Sequence, residues 1–298
     1  MGFALFTAWL RKAAAVSAAL ALAACGAVPT GERVQAELPT FVSLNPCLDA
    51  ILVEVAAPDQ VLALSHYSRD PAASSMDPAR AAQFGVTGGT AEEVIALRPD
   101  IVLASSFIAP ATRSALEGAG LTVATFGSPS SVEESLLQIR ELAALTQRED
   151  RGDALIASIA DTRAPTGVAR PSAMLWQPGQ IVAGETSLVA DHLEWAGFTS
   201  HAAAQGLGQA DYVALETVLA NPPDLLLVAG DAPGQEHPVL SKLADTQVKR
   251  FEPRLFYCAG PSILAARERL LAIRSEMGSE MANDLGREIA SQTESAAE

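Results

Sequence analysis

Glu92-Glu93-Val94-Ile95-Ala96-Leu97-Arg98-Pro99-Asp100-Ile101-Val102-Leu103-Ala104 is a pattern this chain uses twice. It returns as Glu216-Thr217-Val218-Leu219-Ala220-Asn221-Pro222-Pro223-Asp224-Leu225-Leu226-Leu227-Val228. Each copy opens on a glutamate, runs as a short helix, stops at Pro-Asp and resumes as a strand. Proline disfavours the helical region for the residue before it, so each helix must end ahead of Pro99 and Pro222. The run after each aspartate is almost purely aliphatic, which suits a parallel strand covered on both faces. The offset is far longer than the roughly 20–50 residues of a solenoid repeat. Two lobes built on one plan are the simplest reading.

Working outward from the first copy, strands and helices alternate. Phe41-Val42-Ser43-Leu44 and Val61-Leu62-Ala63-Leu64 read as strands, with a helix opened by Asn45-Pro46 between them. A helix over about 76–84 precedes the repeat. Another, closed by Gly118 and Gly120, leads to the strand Leu121–Phe126. After Pro171 the pattern restarts with the strand Ala173-Met174-Leu175-Trp176, a helix ended by Gly197, the second copy, and a last strand at Leu255-Phe256-Tyr257-Cys258. The fold class is therefore α/β: two Rossmann-like lobes with parallel central sheets. The lobes occupy residues 39–130 and 171–290, with a frayed tail at 291–298.

Residues 131–165 carry no strand pattern. Leu136, Ile139, Leu142 and Ala143, then Leu155, Ile156 and Ile159, keep helical spacing. The spacing predicts two helices broken near 147–150, the second serving as a single rigid connector; as a unit this is one long helical link between lobes. The final helix continues a stripe through Ile273, Met277, Met281, Leu285 and Ile289.

Hydrophobic residues make up 49% of the 298 and charged ones 18%, so a packed body is expected. The formal net charge of −15 excludes a nucleic-acid face. Residues 1–25 read as a targeting segment. Arg11-Lys12 precedes an apolar run too short to span a bilayer, and the run ends Leu22-Ala23-Ala24-Cys25-Gly26. This resembles a bacterial lipoprotein signal with Cys25 lipidated; the alternative is an ordinary secretory peptide with an incidental cysteine. Residues 26–38 form a tether. An exported protein anchored by lipid to a membrane of the periplasm is expected.

Two cysteines remain, Cys47 and Cys258. An oxidising compartment favours a disulfide between them, and two alone cannot hold a structural zinc. One thiolate on a metal centre, or two buried thiols, are the other readings.

No catalytic or nucleotide-binding motif occurs, and no two of the four histidines stand at ligand spacing. No catalytic residue and no covalent cofactor is expected. The loops after strand C-terminal ends converge, where open α/β sheets bind ligands. They offer Asn45, His66, Tyr67, Trp176 and Tyr257 as ligand-binding residues, besides Ser105-Ser106-Phe107. Aromatics with a few polar groups on facing lobes suit a large flat ligand.

With these residues in place, the chain resembles the substrate-binding proteins of the cobalamin, haem and iron-siderophore import family, the vitamin B12-binding type included. The resemblance runs from about 39 to 277. It is carried by Phe41–Pro46, Ala63–Ser68, Gly88-Gly89 and both copies of the repeat. It implies two α/β lobes joined by one long helix, a cobalt or iron chelate as ligand, and an ABC permease with its ATPase subunits as partner. It also implies that Glu92 and Glu216 dock into arginine pockets of that permease. Without the resemblance, both glutamates are simply favourable in a helix's first turn. Tyr67 matches an aromatic that stacks on the corrin, whereas His66, Cys47 and Cys258 depart from those members. A zinc- or manganese-binding protein of related fold, wanting three or four His, Asp or Glu ligands of which only His66 and His201 sit in candidate loops, is the first rival. An exported enzyme on the same scaffold is the second.

Overall fold

The computed structural model describes residues 38–160 and 170–295, with side chains as far as Ser279. The Cys25 signal, the tether up to residue 37, residues 296–298 and the side chains of the Met281, Leu285 and Ile289 stripe lie outside what is described, and helix rather than a frayed tail continues to Ser295. In lobe one, β1 (Phe41–Ser43), β2 (Val61–Ser65), β3 (Val86–Thr87), β4 (Ile101–Ser105) and β5 (Thr122–Phe126) form one sheet in the order β3-β2-β1-β4-β5. Every pairing in it is parallel. Helices α1 (Pro46–Val55), α2 (Pro78–Ala81), α3 (Ala91–Leu97) and α4 (Pro110–Gly118) make the crossovers.

Both copies of Pro-Asp are used in the same way, and for a reason absent from the aliphatic pattern. Asp100 Oδ2 accepts from Thr40 N at 2.8 Å and Thr40 Oγ1 at 2.7 Å, while Asp100 N donates back to Thr40 Oγ1. Asp224 Oδ2 accepts from Ser172 N at 2.7 Å and Ser172 Oγ at 2.8 Å, and Asp224 N donates to Ser172 Oγ. Thr40 stands just ahead of β1; Ser172 opens β6 (Ser172–Gln177). Each aspartate thus clamps the start of its lobe's first central strand to the repeat strand beside it, fixing register where a one-residue slip would turn the apolar faces outward. The N–H and hydroxyl of Thr40 hold the Asp100 carboxyl below the usual range. Asp100→Ala and Asp224→Ala are each expected to lower unfolding stability by about 0.5–1.5 kcal/mol in urea titrations, the net worth of hydrogen bonds lost where water can reach the freed N–H. An unchanged midpoint in both would refute the clamp.

Helices α5 (Val132–Thr146) and α6 (Glu149–Ala160) follow lobe one. The break falls where spacing predicted it: Gln147 takes the left-handed conformation (φ 55°) and its N–H caps Ala143 and Ala144. The two helices then fold tightly together. A Cβ on Gly152 would sit 2.4 Å from that of Ala143, so glycine is required by close approach. Residues 161–169, which lead to β6, lie outside the described part.

In lobe two, β6, β7 (Ile181–Val182), β8 (Thr199–Ser200), β9 (Asp211–Tyr212), β10 (Leu225–Val228) and β11 (Gln247–Arg250) form a sheet ordered β11-β10-β6-β7-β9, with β8 beside β6. This sheet is mixed rather than wholly parallel. The turn Pro178–Gln180, with Gly179 at φ 72° and Gln180 at φ 63°, sends β7 back antiparallel to β6, and β9 pairs antiparallel with β7. Helices α7 (Leu188–Trp195), α8 (His201–Ala204), α9 (Leu215–Ala220) and α10 (Ser262–Ser295) complete it. The last strand ends at Arg250, not at Cys258. Pro253 lacks an N–H for a ladder, and 253–256 forms a 3-10 turn instead.

Both sheets are buried on both faces. In β10, Leu225 and Leu227 join Leu193, Phe198, Leu270 and Ile273, whereas Leu226 and Val228 join Trp176, Val213 and Val218. In lobe one, Phe41, Ile51, Leu52, Ile139, Leu142 and Ile159 make the main cluster, and Ala259 and Ile263 reach into it from the start of α10.

Candidate functional site

Strand C-terminal ends of the two sheets meet at one seam, and residues from both lobes are tied across it. Cys47, in the first turn of α1, has its Sγ 2.08 Å from that of Cys258, in the loop between β11 and α10. Beside it, Ser75 Oγ donates to Arg254 O and accepts from Cys258 N at 3.1 Å. Ser135 Oγ accepts from Gly260 N at 2.9 Å, and Asp191 Oδ2 from Val132 N at 2.7 Å. A cavity of about 120 Å³ opens at this seam, with Asn45, Ser105, Phe126, Gln138, Tyr257 and Cys258 in its walls.

Four aromatic rings stand in solvent around the seam. Tyr67 is 51% exposed in the 3-10 turn His66–Arg69 that follows β2, and Phe107 is 83% exposed after β4. On lobe two, Tyr257 precedes Cys258 and is 39% exposed; Tyr212 is 65% exposed at the end of β9. Tyr212 reaches this end of the sheet because it pairs with Ile181, which pairs with Gln177 at the tip of β6.

Among the residues expected from sequence, His66 and Tyr67 stand together, ring centroids 4.1 Å apart. His66 Nδ1 lies 3.3 Å from Thr87 O. That contact is satisfied with Nδ1 as the donor, and Nε2 makes no hydrogen bond among the described residues. Asn45 is half-buried and its Oδ1 caps α1, accepting from Cys47 N and Leu48 N, so its acceptor is already in use. Trp176 is corrected outright. It is fully buried, its Nε1 donates to Val213 O at 3.0 Å, and it fills the core of lobe two. The alternation of β6 turns position 176 away from the cleft. His201 sits at the opposite end of the sheet, opening α8 with Nε2 against Asn221 O, so it does not join His66. Among the described residues, no three His, Cys, Asp or Glu side chains come together as an ion site.

Phe107 and Tyr212 were missed as single residues. Phe107 lies in a loop the strand pattern had marked, but Tyr212 belongs to a two-residue strand with no sequence signal of its own.

Glu92 and Glu216 open α3 and α9, both exposed, and neither makes a hydrogen bond or ion pair among the described residues. Their neighbour Glu93 differs. Its Oε2 accepts from Thr87 Oγ1 at 2.8 Å and Gly88 N at 2.6 Å, which hold its carboxyl below the usual range. Of the paired glutamates that open the repeat, one secures the Gly88-Gly89 turn and the other is left free.

Two buried titratable groups flank the seam. Burial pushes the Asp49 carboxyl up to about 7, against the lowering influence of Ser43, Ser68 and Ser65. Burial, and secondarily the charge of Arg267, pulls His192 down to about 3. Between pH 3.8 and about 7 the folded state therefore holds more protons at Asp49 than the unfolded chain, and stability falls as pH rises. At His192 the unfolded chain holds more protons between about 3 and 6.5, and stability rises with pH. Each effect amounts to roughly a few kcal/mol and they oppose one another. Asp49→Asn is expected to leave a protein whose melting temperature climbs with pH through the acid range; His192→Gln should leave one whose melting temperature declines from pH 4 to 7. Parallel profiles in the two variants would contradict this.

Comparison with known proteins agrees with this architecture. A cobalamin-binding protein of Halobacterium salinarum is 26% identical over 232 residues, which cover 74% of this chain and 62% of that relative. The periplasmic heme-binding protein RhuT of Roseiflexus sp. RS-1 superposes with a TM-score of 0.63 at 23% identity, covering 79% of this chain and 98% of that one. The periplasmic vitamin B12-binding protein BtuF of Vibrio cholerae does so with a TM-score of 0.56 at 16% identity, covering 79% and 96%. The profile of the periplasmic binding proteins matches residues 41–247, and the chain belongs to that family.

Proposed function

We propose that this protein captures a corrinoid-type metal chelate between its lobes and delivers it to an ABC permease. The observation that carries this reading is the ring of exposed aromatics, Tyr67 and Phe107 on lobe one with Tyr212 and Tyr257 on lobe two, around a seam of strand C-terminal ends. Such rings offer flat apolar contact to a macrocycle. The loops also speak to charge. Arg69 donates to Phe84 O, Arg254 pairs with Glu252, and Arg250 donates to Gly230 O and approaches Glu236. The arginines near the seam are thus engaged within the protein, which favours an amide-bearing, uncharged corrinoid over a chelate carrying several carboxylates. The cobalamin-binding relative supports the same choice. We place the protein outside the cytoplasmic membrane, tethered through Cys25, with Glu92 and Glu216 as its two contacts to the permease.

A haem reading is favoured by one observation, the open Nε2 of His66, which suits an axial position on iron or cobalt. Titrating cyanocobalamin, dicyanocobinamide and hemin against the purified protein, followed by the chelate's own visible absorption, separates the two. Micromolar or tighter binding of a corrinoid supports the proposal; binding of hemin alone, with a shifted Soret band lost in His66→Ala, replaces it with the second reading. Binding of none of the three rejects both the corrinoid and the haem readings.

A further inference from the structure

The aromatic pair His66-Tyr67 is presented by a turn of only four residues. Arg69 Nη2 and His66 Nδ1 reach Phe84 O and Thr87 O, and both ends of the turn meet on one buried carboxylate. Asp49 lies in the first half of α1 and is fully buried. Its Oδ2 accepts from Ser65 N at 2.9 Å, where β2 ends, and from Ser68 Oγ at 2.6 Å, inside the turn. Ser65 and Ser68 are themselves buried, and between them His66 and Tyr67 project into solvent. Ser65 Oγ also caps Tyr67 N, so the carboxylate, the serine and the turn form one small network. The same helix turn carries Cys47, which is joined to Cys258 on lobe two.

The chemistry of Asp49 is costly for the fold. Oδ1 is buried without a well-formed hydrogen bond, and no cation pairs with the group among the described residues. A buried carboxylate so placed lowers stability rather than raising it. An apolar residue would serve the core better but could not hold both ends of the turn. Such a local cost is the mark of a residue kept for what it positions.

We propose that Asp49 is the positioning residue of the binding face of lobe one: by accepting from Ser65 and Ser68 it fixes the angle at which His66 and Tyr67 meet the ligand. The inference rests on the reading that those two side chains touch the cargo, and its test separates the two claims. Asp49→Ala, Asp49→Asn and Ser68→Ala are made in the full chain. Amide exchange over residues 65–70 is followed by mass spectrometry, and affinity for cyanocobalamin and hemin by absorption titration.

Asp49→Ala is expected to speed exchange in 65–70 by about tenfold, with lobe two unchanged, and to weaken whichever probe binds by about tenfold. Asparagine keeps an acceptor oxygen and should restore both to within about threefold. Ser68→Ala, which leaves the carboxylate in place, should fall between. If Asp49→Ala does not fold, the asparagine and Ser68 variants carry the same comparison. Unchanged exchange in 65–70, or loosened exchange with unchanged affinity, overturns the proposal, since a purely structural aspartate would lower the melting temperature and nothing else. If neither probe binds the wild type, the cargo assignment fails instead, and local exchange alone decides whether Asp49 anchors the turn.

Discussion

Replacing Cys47 and Cys258 together by serine is expected to reduce the free energy of unfolding by about 3–5 kcal/mol. The two cysteines are 211 positions apart. Closing so long a loop in the unfolded chain removes a large conformational entropy, about 5 kcal/mol in the chain-entropy account, with native-state effects lowering the realised value. The crosslink also joins α1 of lobe one to the loop that enters α10, beside the Ser75 contacts with Arg254 and Cys258. Its loss should therefore loosen the seam before it loosens either sheet. Guanidinium titrations of wild type with and without reductant, and of the double variant, check this. The reduced wild type and the variant should coincide. A midpoint that ignores both reductant and mutation would mean that the crosslink contributes nothing, and thiol counting under denaturation would show whether it had formed.

Reversing charge at Glu92 and Glu216 together should abolish transport while leaving affinity for the chelate within about twofold. Both carboxylates are exposed and unpaired among the described residues, so neither is needed to hold its own helix. They open helices that begin at the ligand-side end of each sheet, since β3 and β9, which lead into them, register with the C-terminal tips of β2 and β7's partner β6. One acidic foot on each lobe would then face the permease on either side of the cleft. A pair of opposite charges at a desolvated interface is strongly coupled, and a like-charge pair in its place costs several kcal/mol. Uptake by cells lacking the wild-type protein, measured beside titration of the purified variant, separates docking from capture. Loss of affinity in the variant would move both glutamates from the docking face to the ligand site.

The seam also bears on how capture proceeds. Lobe one's main cluster includes Ala259 and Ile263, and hydrogen bonds from Ser75, Ser135 and Asp191 cross between the lobes beside the disulfide. An apolar junction with a covalent crosslink resists wide hinge motion. On the proposed function, ligand entry would rely on movement of exposed side chains such as Tyr67, Phe107 and Tyr212 more than on separation of the lobes.

What the sequence determined by itself was the architecture. Pro-Asp after a short helix, followed by an aliphatic run, is a local signal: proline ends the helix whatever surrounds it, and a run without polar alternation can only be buried on both faces. Repeated at Glu92 and Glu216, it defined two lobes and the position of the central strands, while only the contacts of Glu93 with Thr87 and Gly88 showed which glutamate of the first copy is left free. The break at Gln147 was legible from a different local signal, the interruption of helical apolar spacing between Ala143 and Leu155.

Tertiary structure decided the rest, because the deciding partner was distant or the element too short to carry a pattern. Nothing near Asp100 or Asp224 names Thr40 or Ser172, 60 and 52 positions away, as the groups they clamp. Trp176 looked like a cleft aromatic because it ends a strand, but strand alternation and the contact to Val213 put it in the core. Tyr212 looked like nothing and stands exposed at the cleft, since a two-residue strand has no periodicity to read. Pro253 moved Tyr257 out of a strand and into the seam. The aspartate at 49, a buried polar letter in a largely apolar helix, acquires meaning only when β2 and the His66–Arg69 turn close over it.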